Sequence, residues 1–182
     1  ITFHYTNEQM VKDLIAITPI SGSVLDAGSG KNKVWFKNLT GEKYECEIED
    51  GVDFYDWKAS VDWIVGNPPF HESWKFTEKA ITIAQKGIAW LVNNTGLNSQ
   101  MTPRRLQLMK DKGFELQHIK VVADKRWFGR YYYLIFEKKK GFFRQTKNDA
   151  VMEKVDDKGN ILGFSVLNIS RLAKKPLAVA LT

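Results

Sequence analysis

Cysteine is almost missing from this chain. Cys46 stands alone among 182 residues, so no internal disulfide can form, and a reducing, intracellular setting is expected. Histidine is nearly as scarce. His4, His71 and His118 are scattered, and with one cysteine they make no recognisable zinc site, so no metal is expected. No apolar run approaches the roughly 20 residues of a membrane span. No signal-peptide pattern opens the sequence at Ile1, so a cytoplasmic protein with no membrane partner is expected. Internal repeats and low-complexity stretches are absent too. What is present suits a globular domain: 43% of residues are hydrophobic, which argues against disorder, and the length supports a core of real size.

The formal net charge is +6, which ordinary solubility and a polyanionic partner explain equally well. Placement favours the partner. Basic residues outnumber acids over 104–112 and 125–147, and in the second stretch they interleave with Trp127, Phe128, Tyr131, Tyr132, Tyr133, Phe142 and Phe143. Cations beside aromatic rings suit nucleic acid better than charge alone.

The pattern alternates strand and helix. Thr6 and Gln9 have the spacing of a capping box, and Met10, Val11, Leu14 and Ile15 continue at helical period, predicting a helix over 7–17. A short strand at 23–27 runs into the glycine turn Asp26-Ala27-Gly28-Ser29-Gly30, followed by a short helix around 31–39 and a strand over 43–48. After a turn at 49–51 and a loop or helical turn over 53–57, the apolar run 61–66 reads as a buried strand. It stops at Asn67-Pro68-Pro69-Phe70, because prolines cannot continue a ladder. A helix over 74–85, punctuated by Gly87, leads to a central parallel strand over 88–93. Pro103 opens another helix that Gly113 closes. Strands at 114–122 and 130–137 are joined too closely for a crossover and must be antiparallel. Beyond Gly141 the texture changes, with a hairpin predicted from 151–155 to 161–166. The expected architecture is α/β, a three-layer Rossmann-like sheet, mostly parallel with an antiparallel final strand, over 1–140, plus a short C-terminal extension over 141–182.

Several chemistry-bearing residues fall at the carboxyl ends of successive strands, where open α/β sheets bind ligands. The glycine turn lets a ligand approach the backbone. Glu47 and Glu49 end the second strand, where a ribose hydroxyl pair is gripped. Asn67 offers an amide oxygen, Pro68 a carbonyl with no N–H beside it, and Phe70 a flat apolar face. Two acceptors and a ring suit a planar ligand held through an exocyclic amino group. His71 and Glu72 read as a helix start, and Trp35, Trp57, Trp63 and Trp90 as core.

This order of features resembles the class I S-adenosylmethionine-dependent methyltransferases, and within them the γ-type enzymes that modify N6 of adenine. Asn67-Pro68-Pro69-Phe70 matches that group's catalytic motif, and the resemblance covers residues 5–140. It implies S-adenosylmethionine as cofactor. Tyr5 and Thr6 would meet its methionine carboxylate, and Asp26, Gly28 and Gly30 would shape the loop beneath it. Glu47 would hold the ribose hydroxyls, with Glu49 as fallback. Asp53 would accept from the adenine amino group, and Phe54 would lie against its ring. Asn67 and the Pro68 carbonyl would orient the target amine. Phe70 would stack on the target base, which Phe128 or Trp127 would cover from the other side.

Three departures matter. Only a turn fits between Glu47 and Asp53 where the family has a helix, which implies a cofactor-adenine pocket that is more open or completed by another chain. Lys31, Asn32 and Lys33 put positive charge beside the glycine turn. The family usually appends a large target-recognition domain, and none is expected within residues 141–182, which are too few for a second core. Recognition then falls to charge alone, to the loops 95–105 and 124–130 with the tail, or to a protein partner or homodimer. The resemblance implies transfer to adenine in DNA, which motif order favours over RNA. The same chemistry on RNA or on a protein glutamine, and a catalytically silent binding subunit, are the alternatives.

Overall fold

The computed structural model describes residues 6–123, 129–138, 141–146, 151–156 and 159–166. The chain divides into two units, Ile1–Lys138 and Lys139–Thr182. In the first, strands β1 (Val24–Ala27), β2 (Lys43–Cys46), β3 (Val61–Gly66), β4 (Ala84–Asn93), β5 (Phe114–Val122) and β6 (Tyr131–Lys138) form one sheet in the order β2-β1-β3-β4-β6-β5. The strands β2, β1, β3 and β4 are mutually parallel, while β6 runs antiparallel to both β4 and β5. This is the mostly parallel Rossmann-like sheet with an antiparallel last strand that the sequence predicts.

Helices cover both faces. On one lie α1 (Glu8–Ala16) and α2 (Val34–Asn38), burying Val11, Leu14 and Trp35 against Trp63, Val65, Leu91 and Tyr133. On the other lie α3 (Ser73–Ile83), α4 (Asn94–Gln100) and α5 (Pro103–Asp111), burying Phe76, Ala80 and Met109 against Ile64, Trp90, Leu134 and Phe136. A strand buried on both faces carries apolar side chains at consecutive positions, as 88–92 does. Tyr133 ties the first layer down: its ring stacks on Trp35 at 5.8 Å, and its hydroxyl lies 2.7 Å from Thr18 Oγ1. Burial pushes that phenol well above its ordinary range.

Four local readings are corrected. Asn7, not Thr6, caps α1: its Oδ1 accepts from the backbone N–H of Gln9 and Met10. The helix after the glycine turn begins only at Val34, behind Lys33 in the left-handed conformation. Gly87 does not end a helix but sits inside β4, where a Cβ would come 2.3 Å from the Trp63 ring. Its lack of a side chain makes room for that indole. The loop expected over 95–105 contains α4, capped by Asn93, whose Oδ1 accepts from the Gly96 N–H at 2.9 Å. A buried polar network fastens α4 to α3 and the sheet. Gln100 Nε2 donates to the Ser73 carbonyl at 2.8 Å, and Trp90 Nε1 donates to Thr77 Oγ1, which also meets the Gln100 side chain.

The second unit contains a three-stranded antiparallel sheet, β7 (Phe142–Gln145), β8 (Val151–Val155) and β9 (Ile161–Val166). The predicted hairpin is β8–β9; β7 adds a strand the sequence pattern did not mark.

Candidate active site

The Asn67 turn is placed by Gly66. This last residue of β3 has φ +151°, and a Cβ there would lie 2.7 Å from the Ala27 carbonyl oxygen. Only glycine lets β3 press this closely on the end of β1. Asn67 therefore emerges beside the glycine turn. Its Oδ1 is buried and, among the described residues, has no hydrogen-bond partner. A buried acceptor left unpaired costs about 1–3 kcal/mol, so its retention calls for an explanation. Pro68 is buried and Pro69 exposed. Phe70 is half-buried, with its ring 5.9 Å from that of Tyr131 and tilted by 59°.

The glycine turn is shaped by the end of β2. The Cys46 carbonyl accepts from the N–H of both Gly28 and Ser29 at 3.0 Å. Ser29 Oγ donates to Glu45 Oε2 at 2.5 Å, and the Gly30 N–H donates to Glu47 Oε2 at 2.6 Å. Gly28 and Gly30 both have φ near +70°, and the space above Gly30 is open. Glu47 lies half-buried at the rim, while Glu49 turns away to pair with Lys31 at 3.5 Å. Of the two acids, Glu47 is the one held against the turn.

Beneath the turn, Asp26 is fully buried. Its Oδ2 accepts from the Phe36 N–H at 2.9 Å, and its Oδ1 has no partner among the described residues. Burial raises its pKa to about 7, reinforced by the negative charges of Glu45 and Glu47. Burial likewise pushes the Cys46 thiol up to about 11, so this cysteine is inert at neutral pH. The lysines after the turn do not leave the site positive. Lys33 bridges Glu45 at 2.5 Å and Asp50 at 2.9 Å, which raises its pKa and neutralises it locally. The local balance is acidic.

In place of a helix, two short 3-10 turns, Ile48–Asp50 and Phe54–Asp56, join β2 to β3. Asp53 caps the second, its Oδ1 accepting from the Tyr55 N–H at 2.9 Å. Phe54 is not a surface ring: it is 3% exposed and stacks on Phe76 at 4.9 Å, so it belongs to the core rather than to a ligand. Ile48 takes the exposed position instead, 68% accessible and directly after Glu47, with Val52 at 42%. Sequence reasoning passed over both. The signal was an isoleucine and a valine inside an acidic turn too short to bury them. A cavity of about 380 Å³, lined by residues 51–53 and 56–59, opens beside Asp53. Tyr55 links this turn to the other side of the site. Its hydroxyl donates to Glu72 Oε2 at 3.3 Å, and burial and that carboxylate raise it to about 12.

The structure thus brings Asp26, Gly28, Gly30, Glu47, Asp53 and Asn67–Phe70 to one end of the sheet, at the carboxyl ends of β1, β2 and β3. Thr6 lies half-exposed ahead of the α1 cap. Tyr5, Trp127 and Phe128 fall outside the described residues. Among the described residues, no helix is long and apolar enough to cross a membrane.

No protein-family model and no curated protein sequence matches the chain. Solved structures share its fold. The magnesium protoporphyrin IX methyltransferase of Synechocystis PCC 6803, with bound SAM, superposes with a TM-score of 0.54 at 12% identity, covering 72% of this chain and 79% of that one. A ribosomal protein L11 methylase from Lactobacillus delbrueckii subsp. bulgaricus superposes with a TM-score of 0.50 at 12% identity, again over 72% and 79%. The likeness is one of fold: this chain has the three-layer architecture of class I methyltransferases.

Proposed function

We propose that this protein is an S-adenosylmethionine-dependent methyltransferase whose acceptor is an exocyclic amino group, N6 of adenine in DNA. The observation that carries the reading is the buried, unpartnered Asn67 Oδ1 at the end of β3, beside the glycine turn and flanked by Phe70. An acceptor kept dry and unpaired is poised for a donor that arrives with a ligand.

The residues present fit the cofactor. The space above Gly30 is open, Glu47 stands at the end of β2, and Ile48 and Val52 offer apolar surface next to Asp53. Glu47 would hold the ribose hydroxyls, Asp53 would accept from the adenine amino group, and Ile48 would cover the ring in the role first expected of Phe54. The acidic surround of Glu45, Glu47 and Asp50 suits a positively charged ligand. When bound, S-adenosylmethionine supplies an electrophilic methyl group on a sulfonium.

Adenine N6 is a poor nucleophile because its lone pair is delocalised into the ring. Asn67 Oδ1 and the Pro68 carbonyl would each accept one of its N–H bonds, drawing the nitrogen toward tetrahedral geometry and freeing the lone pair. These contacts strengthen as positive charge grows on nitrogen, so they favour the transition state over the ground state. Alignment of amine and methyl supplies much of the rest. The nitrogen would gain the methyl group as its bond to the sulfonium breaks, leaving S-adenosylhomocysteine, and would release one proton to solvent. Phe70, leaning on Tyr131, would stack on a base taken out of the duplex or already single-stranded.

The test is radiolabelled methyl transfer to matched DNA and RNA, followed by nucleoside analysis. Label is expected as N6-methyladenine in DNA. Asn67→Ala should cut transfer by at least about 10²–10³-fold, the scale of a lost transition-state contact, with S-adenosylhomocysteine binding near normal. Full activity in Asn67→Ala would sink the assignment. Label in RNA or protein alone would move the acceptor and leave the chemistry.

A further inference from the structure

Charge is divided unevenly along this chain. Residues 42–56 hold seven acids and one lysine, a net of −6, so the remaining residues carry +12 to make the overall +6. The acidic stretch is β2 and the two 3-10 turns, one flank of the site. The α3–α5 side is different in charge, although α3 itself packs on the second 3-10 turn through Phe76 and Phe54. Trp74, in the first turn of α3, lies under the Arg105 guanidinium at 4.8 Å, which sets the first turns of α3 and α5 side by side. Their neighbours Lys75 and Arg104 are both exposed. Lys75 has only a loose 3.5 Å pairing with Glu72, and Arg104 makes no hydrogen bond or ion pair among the described residues. Arg130, also exposed, immediately precedes Tyr131, the residue against which Phe70 rests.

We infer that a nucleic-acid strand crosses the site on the α3–α5 side, its phosphates held by Lys75 and Arg104 beyond Phe70 and by Arg130 behind it, while the acidic β2 flank repels it. The arrangement supplies what a single strand needs: cations flanking an exposed aromatic step, so that a base stacks on Phe70 while its neighbours' phosphates are neutralised. The β2 side has the wrong sign for phosphate and the right one for a cationic small molecule, so the two substrates would meet different parts of the site's rim. The inference rests on the proposed reading for what happens at Asn67, but the surface is tested without any transfer step.

The test is fluorescence anisotropy with the full chain and labelled 20-nucleotide single strands of DNA and RNA, between 50 and 200 mM NaCl. K75Q/R104Q should weaken binding about 10-fold and reduce the slope of log affinity against log salt by about 1.4, the share of two phosphate contacts on a single strand. R130Q should lower affinity further. The control is K110Q/K112Q, the same loss of charge at the far end of α5, roughly 9–12 Å along the helix axis from Arg104. It should change affinity less than twofold. Equal weakening by both doubles would mean net charge alone binds, and would overturn the inference, as would unchanged affinity in K75Q/R104Q or no binding of either polymer by the native chain. Unaltered S-adenosylhomocysteine affinity in K75Q/R104Q shows that the variant is folded. A native chain that binds both oligonucleotides through Lys75 and Arg104 yet transfers no methyl group would support this surface while refuting the enzymatic reading.

Discussion

Asp26 offers the sharpest quantitative test of the site's electrostatics. In the folded chain burial lifts it from 3.8 to about 7, and only one of its oxygens is hydrogen-bonded among the described residues. The folded-state value is raised, so between these two limits the folded chain holds a proton that the unfolded chain has lost. Stability is therefore full below pH 3.8 and declines as pH rises toward 7, at about 1.4 kcal/mol per pH unit. The whole shift corresponds to about 4 kcal/mol, of which about 2 kcal/mol falls between pH 5 and pH 7. Asp26→Asn keeps the shape, retains an oxygen for the Phe36 N–H and cannot titrate. Urea unfolding of both chains at half-unit steps from pH 5 to pH 8 isolates the effect, because every other titrating group is common to the two. The difference in unfolding free energy should shift by about 2 kcal/mol in favour of the variant across pH 5 to 7. Parallel curves would refute the reasoning and show that water or local opening solvates the carboxylate. Binding of a cationic ligand above the turn should favour the ionised form, so calorimetry near pH 7 in buffers of different ionisation enthalpy should detect proton release that Asp26→Asn abolishes.

Two further substitutions test the frame around the site. Gly87→Ala would place a Cβ 2.3 Å from the Trp63 ring, so overpacking should cost about 1–3 kcal/mol or more, read as a lower urea midpoint with unchanged slope. Gln100→Ala should cost about 1–3 kcal/mol by removing the buried bonds that tie α4 to α3, while Thr77 keeps its bonds to Ser73 and Trp90, with faster amide exchange in 94–100 than in α3.

Much of this organisation was legible because its signals are local. An apolar run cut off by two prolines can only end a strand, and Asn67 stands there. A loop too short for a crossover forces β6 to run against β5. What escaped was set by partners distant in sequence. The stretch Asn94–Gln100 reads Asn-Thr-Gly-Leu-Asn-Ser-Gln, polar and glycine-containing, with no apolar stripe. It is helical because Asn93 caps it and Gln100 is gripped by α3. Gly87 looked like a stop, since nothing nearby in sequence announces an indole from the neighbouring strand. Thr6 and Asn7 are both competent caps, and the choice between them depends on where α1 packs. Phe54 lies buried and Ile48 exposed for a similar reason. Either could cover a ring, and only the fold decides which one the shortened β2–β3 link leaves outside.

The strand order has a consequence for how the protein is made. Strand β6 is the last of its sheet in sequence, yet it is an inner strand, with β4 on one side and β5 on the other. Until residue 138 is available, β5 has no strand to pair with, and the apolar edge of β4 from Gly87 to Asn93 faces solvent. Nascent chains stalled anywhere short of β6 would carry an open sheet through its middle rather than a frayed end, so the fold closes in one late step. Protease resistance of ribosome-bound intermediates should accordingly appear abruptly once that strand clears the exit tunnel, instead of accumulating strand by strand.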